Sequence, residues 1–352
     1  MGAALKIPDR IYKKLPELKD LEDVMDRLKA HARFDVLTEV SHKGVDFPIH
    51  SITIGSENPQ DPCLLLVGGV HGLERIGTQV INSVLSSVAR SMAWDEYFQK
   101  QMEHCRMVFV PLLNPVGMYQ LSRSNGNGVD LMRNAPVESD ERKQPFYGGH
   151  RISSKLPFFR GHENAPMEAE NQALWNLVKK EIFPSKMSIA LDVHSGFGYR
   201  DRIWFPYART KTPFPYLAQM HAFKELFDDT YQHHVYTIEP QAQQYTTHGD
   251  VWDYFFDEFL KVQKDQFFLP LALEMGSWLW IRKNPLQLLN PLGIFNPMTP
   301  HRARRMLRRH KNLVDFLRRA MMSPKSWVHL NPEEKLHHRN KAMELWYPGK
   351  VK

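Results

Sequence analysis

Cysteine is almost absent: Cys63 and Cys105 are the only two in 352 residues. Each opens an apolar run, CLLLVGGV and CRMVFVPLL. Neither a disulfide framework nor a cysteine-based zinc site can be built from them, and two reduced core thiols are expected. No stretch approaches the ~20 apolar residues that span a bilayer, so no membrane partner is expected. The first 25 residues are charged from Lys6 onward and lack the apolar core of a secretory signal, which gives a cytoplasmic address as the expectation. No internal repeat is visible, and the 19 Gly and 24 Pro follow no period, which excludes collagen-like and low-complexity chains.

The remaining composition, 42% hydrophobic and 24% charged, is that of a globular protein with a sizeable core. The net charge of +7 is concentrated in residues 301–319, where Arg302, Arg304, Arg305, Arg308, Arg309, Lys311, Arg318 and Arg319 face one acid, Asp315. Met306, Leu313, Val314 and Leu317 supply an apolar side at helical spacing. The segment therefore reads as a surface helix with a solvated basic face. No recognition motif accompanies the charge, and a nucleic-acid partner is not expected.

Along the chain, 15–33 reads as an amphipathic helix, and 47–55 and 62–70 as strands. A helix at 74–91, a buried strand at 105–113, a helix at 167–182 and buried strands at 186–194 and 267–275 follow. This alternation predicts an α/β fold: a mixed, mostly parallel twisted sheet with helices on both faces. Three divisions are expected: an N-terminal helical extension over 1–45, a catalytic domain over 46–321 and a C-terminal extension over 322–352. Residues 116–165, rich in Gly, Asn, Arg and Pro, have little periodicity, and so long an irregular stretch in a compact domain is usually functional.

The polar residues fall where an open α/β sheet binds ligands, at the carboxyl ends of its strands. The run at 62–70 delivers His71 and Glu74, the run at 186–193 delivers His194, and the run at 267–273 delivers Glu274. Two imidazoles and one carboxylate suit zinc and leave a fourth position open. Glu274, at the end of a buried strand, fits a general base whose pKa burial would raise.

These residues resemble the motifs of the zinc carboxypeptidase family, the carboxypeptidase A-like metallopeptidases, and among them the compact bacterial members without a pro-segment. GGVHGLE resembles the family's His-x-x-Glu motif, LDVHSGFG its third-ligand motif and LALEMG the segment carrying its base. The resemblance implies one zinc per chain on His71, Glu74 and His194, with Glu274 as base. NPVGMYQLSRSNGNGVDLMRNAP resembles the segment that implies Arg133 as the anchor of a substrate's terminal carboxylate and Asp130 as the acid orienting His71. YTTHGDVWD resembles the loop that implies Tyr245 as a mobile substrate-binding tyrosine. Arg123 is the candidate for polarising the scissile carbonyl. Two positions depart from the pattern: Met132 stands where the family has Asn, and Trp252 lines the implied specificity pocket.

The expected function is thus a zinc metallocarboxypeptidase that hydrolyses a C-terminal peptide bond. Two alternatives remain open. One is a zinc amidase or deacylase acting on small acyl amino acids, like the aspartoacylase and desuccinylase group. The other is a catalytically silent binding protein of the same fold. The expected partner is a peptide or acyl-amino-acid substrate.

Overall fold

The computed structural model describes residues 7–141 and 145–350. Its sheet has eight strands: β1 (Ala32–His42), β2 (Val45–Gly55), β3 (Cys63–Gly68), β4 (Arg106–Val110), β5 (Met187–Ser195), β6 (Arg202–Phe205), β7 (Thr237–Pro240) and β8 (Phe267–Met275). They lie in the order β1-β2-β4-β3-β5-β8-β6-β7. The centre, β4-β3-β5-β8, is parallel, whereas β1-β2, β2-β4 and β6-β8 pair antiparallel. The sheet is therefore mixed, as expected.

Every residue of β3, β4 and β5 is buried, which is why these strands are continuous apolar runs rather than alternating ones. Helices Arg75–Trp94 and Pro300–Met321 pack against each other and against β3 and β5. Both free thiols are buried, at the start of β3 and just before β4. In helix Pro300–Met321 the buried side includes Met306, Leu313, Val314 and Leu317, while Arg304, Arg305, Arg308 and Lys311 face solvent. Among its basic residues, Arg309 pairs with Asp201, and Arg318 and Arg319 pair with Asp315.

The expected domain limits need correction. The boundary at 45 cuts a β-hairpin, because β1 lies inside the supposed helical extension and pairs along β2. The helix there is Pro16–Leu28. Its buried Glu17 accepts from Arg75 Nε (2.9 Å), the residue after Glu74. Beyond 321, helix Pro332–Trp346 docks on helix Leu217–Thr230 and buries Ala342 and Trp346 in the main core. The outermost parts of both expected extensions, 1–6 and 351–352, lie outside the described residues.

Candidate metal centre and active site

Parallel β3, β5 and β8 are neighbours, so their carboxyl ends open on one edge of the sheet. The chain leaves β3 through Gly69 (φ +66°), makes one turn in which Glu74 N–H donates to the His71 carbonyl (3.0 Å), and enters helix Arg75–Trp94. His194 sits near the end of β5, in register with Glu274 on β8. A one-residue slip in that pairing would send one of the two to the opposite face.

His71, Glu74 and His194 are buried, and one ligand atom from each lies within 4.8 Å of the others. Glu74 Oε2 is 3.1 Å from His194 Nδ1 and accepts the Ser195 backbone N–H at 2.9 Å. The His71 and His194 rings are 5.1 Å apart. Two imidazoles and a carboxylate at such spacing fit a zinc ion. His71 Nδ1 and Glu274 Oε2, both buried, have no hydrogen-bond partner among the described residues.

Electrostatics divides the roles. Burial, then the neighbouring Arg123 charge, pulls His71 down to about 3, so it is neutral with a lone pair at ordinary pH. Burial opposes charge on Glu74 as well, but His71 and His194 outweigh it and hold the carboxyl below its usual range. For His194 burial is outweighed by Asp192 and Glu74, which raise the imidazole well above its usual value. Glu274 moves opposite to Glu74: burial and the nearby Glu74 carboxylate push it up to about 8.

Irregular segment 116–165 supplies three of the expected residues. Arg123 Nε donates to Asp130 Oδ2 (2.9 Å) and one terminal nitrogen to Glu74 Oε1 (3.3 Å). The other terminal nitrogen lies 2.7 Å from His71 Nε2, and the guanidinium stacks 4.9 Å over the Phe158 ring. Arg123 is therefore inside the centre, as the sequence suggested. Asp130 corrects the expectation in part. Its Oδ1 lies 3.8 Å from His71 Nδ1, beyond hydrogen-bond reach, and its bonded partners are Arg123 and the Met132 backbone N–H (3.0 Å). It therefore positions Arg123 rather than orienting His71 directly.

Arg133 is buried, and its guanidinium donates to the carbonyls of Tyr147 (3.1 and 3.3 Å) and Met132 (3.3 Å). Among the described residues no carboxylate lies within ion-pair distance of it, which is unusual for a buried charge and leaves it ready for an anion. Tyr245, half-buried amid the rings of Tyr147, Phe197 and Trp204, has its hydroxyl within reach of Arg133. Burial, and then the Arg133 charge acting against it, are the largest influences on the Tyr245 phenol, whose pKa is raised. Gly249 makes this approach possible. It adopts φ +67°, and a Cβ there would fall 1.9 Å from the Arg133 carbonyl oxygen.

Met132 and Trp252 together line a cavity of ≈ 20 Å³ with Trp204, Asp250 and Asp253, room for about one water. Trp252 also has a second role that sequence reading missed. Its Nε1–H donates to Asp192 Oδ2 (2.9 Å), which in turn lies 2.8 Å from His194 Nε2. The signal was present in LDVH: on a strand, residues two apart share a face, so Asp192 and His194 had to be neighbours. Arg202, near the site in sequence, pairs with Glu239 at 3.0 Å.

Comparisons with known proteins bear on the family and the fold. Residues 25–266 match the family model described as zinc carboxypeptidase, a match that ends just before β8. Inactive metallocarboxypeptidase ECM14 of Ajellomyces capsulatus is 28% identical over 201 residues, covering 51% of this chain and 31% of that protein. Carboxypeptidase SOL1 of Arabidopsis thaliana is 29% identical over 121 residues, covering 33% and 25%. The matched part of the chain thus spans about a third or less of these relatives. Among solved structures, carboxypeptidase A from Helicoverpa armigera superposes with TM-score 0.60 at 14% identity, covering 87% of this chain and 72% of that one. Thrombin activatable fibrinolysis inhibitor superposes with TM-score 0.57 at 16% identity, covering 82% and 72%.

Proposed function

The chain belongs to the zinc carboxypeptidase family, and from that premise we propose that it is a working zinc-dependent carboxypeptidase that removes a C-terminal residue from a peptide. The observation that carries this reading is the juxtaposition of His71, Glu74 and His194 with an uncommitted carboxyl, Glu274, in register beside His194. One zinc ion held by the three residues would polarise a scissile carbonyl and bring the pKa of water near neutrality. Glu274 would take a proton from that water and return it to the leaving amine. Arg123, pivoting on its Asp130 ion pair, stabilises the developing charge on the carbonyl oxygen. Arg133 binds the terminal carboxylate through its charged fork, and Tyr245 closes over it. The expected setting is the cytoplasm.

A second reading draws on the relatives named inactive: a silent binding protein with the same fold. The metal-loaded protein incubated with a peptide set, free or amidated at the C-terminus, separates the two when products are read by mass. Loss of single C-terminal residues from free peptides, with amidated ones spared, is expected. Arg133→Ala should abolish most of kcat/KM on the free peptides alone. Equal cleavage of both forms would replace the carboxypeptidase reading with the amidase or deacylase one, and no cleavage of either would favour the silent protein.

A further inference from the structure

A second cluster of imidazole and carboxylate ligands lies away from the sheet edge, between two helices. Helix Leu217–Thr230 contributes His221 and Glu225, four residues apart and so on one face. Helix Pro332–Trp346, packed against it, contributes His338. One ligand atom from each lies within 4.8 Å of the others. His221 Nδ1 is 3.1 Å from His338 Nδ1. The Glu225 carboxylate places one oxygen 3.8 Å from His221 Nδ1 and the other 3.4 Å from His338 Nδ1.

These edges have the size of a coordination polyhedron. Nitrogen and oxygen ligands at about 2.0–2.1 Å from a tetrahedral zinc lie about 3.4 Å from one another. The nitrogen–nitrogen distance and the two nitrogen–oxygen distances, one to each Glu225 oxygen, bracket that value. Two imidazole nitrogens 3.1 Å apart can share only one proton, so at least one lone pair points into the cluster. Packing and a hydrogen bond hold the frame around the cluster. Ala342 and Trp346 are buried in the core, the Trp346 ring packs 6.0 Å from His221, and Trp346 Nε1–H donates to the Ile238 carbonyl (2.9 Å). The nearest cation on the same helix, Lys224, is paired with Asp228. His221 is nearly covered, whereas the Glu225 side chain is 49% exposed, which leaves an open side for entry and for a fourth ligand from solvent.

We propose that His221, Glu225 and His338 form a second zinc site that clamps the C-terminal helix onto the catalytic sheet's helical cover. The clamp reaches towards the substrate loop. The Trp346 carbonyl at the far end of that helix accepts from Gln243 Nε2 (2.7 Å), two residues before Tyr245.

The test keeps the two sites apart. Full-length wild type, His194→Ala, His338→Ala and Glu225→Gln are stripped with chelator, dialysed against zinc sulfate and analysed for bound metal, with folding checked by circular dichroism. Wild type should hold two equivalents. His338→Ala and Glu225→Gln should each lose one and retain peptide hydrolysis, and His194→Ala should keep the equivalent that His338→Ala loses. In the His194→Ala background, zinc at a hundred times its Kd should raise Tm by roughly 3–4 °C, and adding His338→Ala should remove that rise. A metal content unchanged by both His338→Ala and Glu225→Gln would overturn the site, whatever happens at His194. Both variants lie on exposed or half-exposed positions, so a folding defect in one leaves the other to decide.

Discussion

At Glu274, burial and a neighbouring carboxylate act in the same direction, and the acid that results is poised near neutrality. At His71 and Glu74 the same burial is met by different neighbours, which leaves a neutral imidazole beside an ionised carboxylate. One protein interior thus gives three ordinary side chains three different proton affinities. His310 illustrates the effect where no chemistry is at stake. It is fully buried, its Nδ1 lies 2.9 Å from the Tyr236 hydroxyl, and Asp201 stands 4.0 Å from its other nitrogen. Burial is the largest influence and pulls it down to about 4. An unfolded imidazole titrates near 6.5. Between pH 6.5 and about 4, therefore, the unfolded chain takes a proton that the folded chain refuses. Stability from this group is complete above pH 6.5 and falls with pH, by about 3 kcal/mol once the folded pKa is reached. Denaturant unfolding of wild type and His310→Gln at pH 7 and pH 4.5 checks this: the variant should lose distinctly less stability on acidification, and equal losses would contradict it.

Among the elements, the irregular segment 116–165 and the turn at Gly249 do most to assemble the site. The segment brings in Arg123, Asp130 and Arg133. Gly249 lets the Tyr245 loop cross directly over the Arg133 backbone, with Ala135 N–H donating to the Gly249 carbonyl at 3.0 Å. Gly249→Ala adds both a strained φ and a collision with the Arg133 carbonyl. It should cost about 1–3 kcal/mol in denaturant unfolding and raise KM for free-carboxylate peptides, whereas an unchanged unfolding midpoint would show that the crossing is not tight. The sequence made β3, β5 and β8 legible because buried parallel strands are uninterrupted apolar runs. It hid β1, whose burial pattern never reaches a fully buried residue, and β6 and β7, which are four residues each and too short for a period. The C-terminal helix was equally hard to read. Its buried contacts are Ala342 and Trp346 alone, so its sequence carries almost no apolar stripe.

For the molecule as a whole, the arrangement of one sheet assembles the candidate site. His71, Glu74, His194 and Glu274 were legible because each ends or follows an apolar strand, and the adjacency of β3, β5 and β8 turns that linear pattern into one centre. The links that escaped sequence reading are tertiary: Trp252 to Asp192 to His194, and the pairing of His221 with His338, which are 117 positions apart. The basic helix Pro300–Met321 is built into the core on one side and solvated on the other, so its charge is a property of the surface. Among the described residues, no helix is long and apolar enough to cross a membrane. The central claim is that Glu274 acts as the base beside a metal held by His71, Glu74 and His194. The most direct measurement compares zinc content and turnover of wild type and Glu274→Gln on one free C-terminal peptide. Equal zinc in both proteins and a loss of turnover of about 10²–10⁴-fold in the variant are expected. Near-normal turnover in zinc-loaded Glu274→Gln, or none in zinc-loaded wild type, would contradict the claim.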